Sequence, residues 1–157
     1  MKLCRSSHCK INLLLNVISR RDDGFHELEM LMLPVPLFDR LDFELIDSGI
    51  ELTCNWPDIP NDSGNLVWRS VELFKAKAGL TDGVHIHLEK RIPAEGGLGG
   101  GSANAAVTLL ALNELHGHPL DQVALQELAV GLGSDVPFFL QTKPAVARGR
   151  GEIVEPV

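Results

Sequence analysis

Hydrophobic and polar positions alternate along some stretches of the chain and recur at helical spacing along others, so both strands and helices are predicted. Over residues 10–18, Ile11, Leu13, Leu15 and Val17 alternate with Lys10, Asn12, Leu14 and Asn16, which reads as a strand. One face is apolar. The other carries an ammonium and two amides, and a polar strand face can simply meet water. Arg21-Asp22-Asp23-Gly24 is a turn signal, and His26 to Val35 reads as extended. From Asp39 to Asp47, Leu41, Phe43 and Leu45 point one way and Asp42 and Glu44 the other. Ser48-Gly49 then leads into Ile50, Leu52, Cys54 and Trp56, and the two runs predict a hairpin.

Asn65 is placed to cap a helix from about Leu66 to Ala78, with Val67, Val71, Phe74 and Ala78 at helical spacing and Gly79 as its stop. Val84 to Ile92 reads as a strand with Val84, Ile86 and Leu88 on one side and His85, His87 and Glu89 on the other. A His-x-His pair can bind a metal, but with no third ligand apparent a solvated face is the expectation. A second helix ends near Leu115, with Ala103, Ala106, Val107 and Leu110 on one stripe and Leu109 and Leu112 widening it. Asp121 caps a third, with Leu125, Leu128, Ala129 and Leu132 inward. Ser134-Asp135-Val136-Pro137 opens an apolar stretch, Phe138 to Leu140, and Ala145 to Val157 reads as a strand or hairpin broken by Gly149 and Gly151. This order predicts an α+β domain, a mixed sheet with helices on one side.

Composition narrows the function. The 157 residues suffice for one domain with a core. No apolar run approaches the roughly 20 residues that span a bilayer, so no membrane partner is expected. The segment Met1 to Lys10 lacks the apolar stretch of a signal peptide. Cys4, Cys9 and Cys54 are odd in number and form no CxxC pair, which fits a reducing, cytoplasmic setting. The net charge of −7 disfavours a nucleic-acid partner. It leaves a single nucleotide open, because backbone N–H groups can hold phosphate without Lys or Arg.

The segment Pro93-Ala94-Glu95-Gly96-Gly97-Leu98-Gly99-Gly100-Gly101-Ser102-Ala103-Asn104 places five glycines in six positions between a strand and a helix. Each glycine costs entropy on ordering. In return, several N–H groups can converge on one anion at the positive end of the helix dipole. No Gly-Lys-Ser/Thr ends the loop, and the glycines miss the G-x-G-x-x-G register. A flexible surface loop remains the alternative.

The wider pattern is more specific. PAEGGLGGGSANAA resembles the P-x-x-x-G-L-G-G-G-S-S-N-A-A loop of the diphosphocytidyl-methylerythritol kinases, members of the GHMP superfamily. Lys10-Ile11-Asn12-Leu13 with Asp23-Gly24-Phe25-His26-Glu27-Leu28, and Gly133-Ser134-Asp135-Val136-Pro137-Phe138, resemble two further motifs of that family in the same order. The resemblance implies a ribosomal-protein-S5-like N-terminal GHMP fold over residues 1–157, completed in the family by a C-terminal domain absent from this chain. It implies transfer of the γ-phosphoryl group of ATP, with Mg²⁺, to the C2 hydroxyl of a cytidyl small-molecule substrate.

By the same resemblance, Asp135 is the catalytic aspartate, accepting the hydroxyl proton, and Lys10 the catalytic lysine. Gly96, Gly97, Leu98, Gly99, Gly100, Gly101, Ser102, Ala103 and Asn104 would bind the ATP phosphates. Asn12, Phe25 and His26 would bind substrate, with Phe25 in place of the usual tyrosine. No side chain is assigned as a metal ligand, and Glu95, where the family has a small residue, is expected to point away from the phosphates, the alternative being that it helps hold Mg²⁺. Asp135 as a plain helix cap is the alternative role. Two other functions compete: a GHMP kinase acting on mevalonate, homoserine or a sugar, and a non-catalytic S5-like RNA-binding module. The Phe25-His26 pair and the loop oppose the first; the charge and the lack of a Lys/Arg cluster oppose the second.

Overall fold

A computed structural model describes residues 1–157. Six strands and four helices follow the order β1 (Lys2–Arg20), β2 (His26–Ile46), β3 (Ile50–Cys54), α1 (Leu66–Ala78), β4 (Gly83–Glu89), α2 (Gly100–Leu115), α3 (Gln122–Leu132), α4 (Val136–Phe139), β5 (Ala145–Gly149) and β6 (Ile153–Pro156). The strands form one mixed sheet, ordered β3-β4-β2-β5-β6, with β1 along the other edge of β2. Leu41, Phe43, Ile86 and Leu88 are buried with residues of the helices, so the helices cover one face. The architecture is the α+β arrangement that the pattern predicts.

Local signals act where they are expected. The Asn65 carboxamide accepts from the Val67 N–H, and Gly79 ends α1 at φ 69°. The Asp121 carboxylate accepts from the Ala124 N–H at the start of α3. The segment 145–157 forms the β5–β6 hairpin.

The structure departs from the local pattern in three places. The runs on either side of Ser48-Gly49 are not hairpin partners. β4 lies between them, antiparallel to β2 and parallel to β3. Its entry is tight: a Cβ on Gly83 would overlap the Ser48 carbonyl and lie 2.6 Å from the Gly49 oxygen. Second, β2 runs unbroken through Pro34 and Pro36, two residues that cannot donate to a ladder. The β1 register shifts there, from His8↔Phe38 to Lys10↔Pro34, and shifts again at Leu13. Residues 11–20 form an exposed edge, and the apolar face of Leu13, Leu15 and Val17 lies outside the core. Third, α2 is buried around most of its circumference, on Asn104, Thr108, Ala111 and Asn113 as well as Ala103, Ala106, Leu109 and Leu112. Leu110 on the expected stripe is exposed and Val107 half-buried. The helix lies against α1, α3, α4, β1 and β2, so no single stripe describes it.

The outer sheet face carries the polar rows. His87 Nδ1 and Thr53 Oγ1 lie 2.8 Å apart across β4 and β3.

Gly83→Ala should therefore cost about 1–3 kcal/mol by overpacking. Gly131→Ala, in α3 with open space around it, should gain about 1 kcal/mol from helix propensity. Chemical denaturation of both variants checks the pair, and equal effects would contradict the β3–β4–β2 arrangement at Gly83.

Candidate active site

The proline-containing stretch of β2 has a second consequence. Freed from the ladder, the Lys10 N–H donates to the Leu98 carbonyl at 2.9 Å, tying β1 to the glycine-rich loop. The Lys10 side chain is buried, donates to Asn12 Oδ1 at 3.0 Å, and lies 3.4 Å from Asp135 Oδ2. Two neighbouring residues of β1 thus meet a third from far along the chain.

Asp135 precedes α4, but its carboxylate makes no capping bond. It is instead about one-third exposed and lines the cleft. The hydrophobic run after it explains its position. Val136, Pro137, Phe138 and Phe139 are all buried, which pins α4 and holds Asp135 at the surface beside Lys10.

The loop is shaped from below by the same helix. Gly99 sits at φ 70°, and a Cβ there would lie 2.9 Å from the Phe139 ring and 3.3 Å from Lys10 Cε. Only glycine satisfies both the left-handed backbone and the contact. The N–H groups of Gly96 through Ser102 donate to no protein acceptor, and α2 begins without a side-chain cap. They border a cleft of about 430 Å³ lined also by Ile59, Leu66, Leu88, Lys90, Glu95 and Asp135. Free N–H groups, a helix N-terminus and apolar walls together suit a phosphorylated ligand with an apolar body.

Asn104 is placed differently from the other loop residues. Although it borders the cleft, its amide is spent inside the protein: Nδ2 donates to Ser7 Oγ and Asp39 Oδ2, both at 3.0 Å. Ala103 is fully buried beside it. Glu95 is exposed on the loop at φ 60° and is among the residues lining the cleft.

Asp39 is the centre of this layer and escaped sequence reasoning, as did Lys90 and Ser7. Its carboxylate is fully buried. One oxygen accepts from the Arg91 N–H at 2.7 Å and the Ile92 N–H at 2.8 Å; the other lies 2.5 Å from Lys90 Nζ. Asn55 completes the ring, exchanging hydrogen bonds with the Lys90 backbone. A lone acid after the apolar run Pro34–Phe38 was the available signal, since a buried carboxylate needs such partners.

Phe25 and His26 do not reach this cleft. They line a second cavity of about 330 Å³ with Val17, Leu28, Ser134 and Arg150, and Ser134 adjoins Asp135 in the chain. The turn before them is set by Asp23, which accepts from the Phe25 N–H at 3.1 Å. That bond holds the Asp23 carboxyl below its usual range.

The geometry matches a known family. The model of the GHMP kinases N terminal domain matches residues 65–143. The chain belongs to the GHMP kinase family. This GHMP kinase chain is 47% identical over 156 residues to the 4-diphosphocytidyl-2-C-methyl-D-erythritol kinase of Pelotomaculum thermopropionicum, covering 99% of the chain and 54% of that relative. A crystal structure of a 4-(cytidine 5'-diphospho)-2C-methyl-D-erythritol kinase superposes with a TM-score of 0.86 at 46% identity, covering 99% of this chain and 55% of that one. Homoserine kinase from Cytophaga hutchinsonii superposes with a TM-score of 0.73 at 19% identity, over 99% of this chain and 51% of that one, which shows the shared fold. The GHMP kinase chain spans about half the length of the curated relatives it matches.

Removing one partner of the buried pair should be severe. Asp39→Ala is expected to cost about 3–5 kcal/mol, because Lys90 is left charged and unpaired. Asp39→Asn combined with Lys90→Met should recover more than half of that. Urea titrations of the two proteins provide the comparison, and an equal loss in both would show that the charge pair is not the source.

Proposed function

We propose that the protein transfers the γ-phosphoryl group of ATP to the C2 hydroxyl of 4-diphosphocytidyl-2-C-methyl-D-erythritol, a cytoplasmic step of non-mevalonate isoprenoid synthesis. The observation that carries this is the Lys10–Asp135 contact of 3.4 Å, at a cleft bordered by unpaired loop N–H groups. The names and identities of the relatives support the choice of substrate.

In this reading the triphosphate lies on the N–H groups of residues 96–102, and the nucleoside contacts the apolar walls at Ile59, Leu66 and Leu88. Asp135 accepts the proton of the attacking hydroxyl as its oxygen bonds to the γ-phosphorus and the bond to the β-phosphate oxygen breaks. Lys10 holds the Asp135 carboxylate in place and faces the charge that develops on the transferred group. Asn12 fixes the Lys10 ammonium through their 3.0 Å bond. Phe25 and His26 take the cytosine in the second cavity, so Asp135 and Ser134 stand between nucleotide and substrate.

The reaction would use Mg²⁺, an ion bound largely through substrate phosphates and water. Ser102 and Glu95, residues that line the cleft beside the loop, would help hold it, and the ion would neutralise phosphate charge. Residues 1–157 supply the N-terminal GHMP domain, and a C-terminal domain of the whole protein completes the cleft. No helix is long and apolar enough to cross a membrane.

In the full-length protein, Asp135→Asn should lower kcat by about 10² or more with nucleotide binding nearly unchanged. Single-turnover kinetics with ATP and the cytidyl substrate measure this, and near-normal turnover would remove Asp135 from the mechanism. His26→Ala should erase the preference for cytidyl over uridyl analogues, read as a ratio of kcat/KM values. An intact preference would place base recognition elsewhere.

A further inference from the structure

The turn between β5 and β6 touches both halves of the proposed substrate path. β5 pairs with Leu28–Met32 of β2, and the turn closes with the Gly151 N–H donating to the Arg148 carbonyl at 3.1 Å. On one side of the turn, Arg150 Cζ lies 5.0 Å from the centroid of the Phe25 ring. On the other, an ideal Cβ on Gly151 would stand 3.8 Å from Asp135 Oδ1 and 3.9 Å from Ser134 Cβ. Arg150 therefore lines the second cavity between the aromatic ring and the segment that carries Asp135.

Its guanidinium is also uncommitted. None of its N–H groups donates a hydrogen bond to the protein. Nearby Arg21 is bound to Asp23 and Glu27, and Arg148 to Glu29 and Glu155. Glu152, the one carboxylate in salt-bridge range, lies 3.8 Å from Arg150 Nε. It uses its other oxygen on the Arg150 backbone N–H at 2.6 Å. A planar guanidinium with open donors, stacked on a ring and facing a cavity, is suited to bidentate binding of phosphate.

We infer that Arg150 binds the diphosphate of the nucleoside diphosphate substrate and so fixes the distance between base and reacting hydroxyl. The inference rests on the proposed function. A substrate with its base at Phe25 and His26 and its hydroxyl at Asp135 must lay its diphosphate along the wall between them, which Arg150 occupies. The competing role is a prop, in which the cation only steadies the Phe25 ring.

Calorimetry on the full-length protein, with the ATP cleft filled by a non-hydrolysable ATP analogue and Mg²⁺, separates these roles using cytidine and cytidine 5'-diphosphate as probes. Loss of a charge-assisted phosphate contact in Arg150→Gln should weaken the diphosphate by roughly tenfold or more and leave cytidine within about twofold. Arg150→Lys should recover part of the difference, because a point charge remains without the planar fork. Equal weakening of both probes in Arg150→Gln would show a prop, and no weakening of either would show a bystander; each overturns the assignment. Turnover of the cytidyl substrate by the unsubstituted protein, assayed alongside, tests the proposed function separately. If that turnover is present and the probes fail to discriminate, only the arginine assignment falls.

Discussion

The buried pair of Asp39 and Lys90 is the contact on which the site depends. A carboxylate in the interior is tolerable only when its oxygens are filled, and Asp39 fills them from Lys90, Asn104 and the N–H groups of Arg91 and Ile92. These partners belong to the exit of β4 and the first turns of α2. The glycine loop is strung between those two elements. One side chain from β2 therefore sets both ends of the loop, while Ser7, from β1, joins through Asn104.

With its ends fixed, the loop takes its shape from α4 and β1. Phe139 fills the space that any side chain at residue 99 would need, and the Lys10 N–H draws in the Leu98 carbonyl. Both elements also deliver chemistry: Lys10 lies on β1 and Asp135 immediately precedes α4. Packing and chemistry are thus joined. The groups that hold the loop in place are chain neighbours of the groups that face it, and they stay in register with the loop N–H groups. Such preorganisation is what electrostatic stabilisation of a transferring phosphoryl group requires.

Features with local causes were legible in the sequence. Asn65, Gly79 and Asp121 act within a few residues of themselves, and each ends or begins its helix as the pattern predicts. The loop was legible because five glycines have few other uses between a strand and a helix. The meeting of Lys10 and Asp135 was expected from the family resemblance, not from periodicity, since 125 residues separate them. What stayed hidden was set by distant contacts. The insertion of β4 beside β2 depends on pairing energies that a run of alternating residues does not encode. Leu13, Leu15 and Val17 alternate like a core face, yet residues 11–20 of β1 are exposed on both faces. Asn104 read as part of a phosphate loop, yet its amide donates to Asp39 and Ser7. Arg150 carried no motif at all, and its place beside Phe25 comes only from the pairing of β5 with β2.

The central claim is that backbone N–H groups of the loop, opposite Lys10, hold the triphosphate. Amide chemical shifts recorded while the full-length protein is titrated with a non-hydrolysable ATP analogue and Mg²⁺ test it most directly. The account predicts the largest shifts at residues 96–102, with Lys10 moving beside them and the α3 surface around Val123 and Val130 unchanged. Saturable shifts centred on α3 or on the outer sheet face, with the loop amides still, would contradict it.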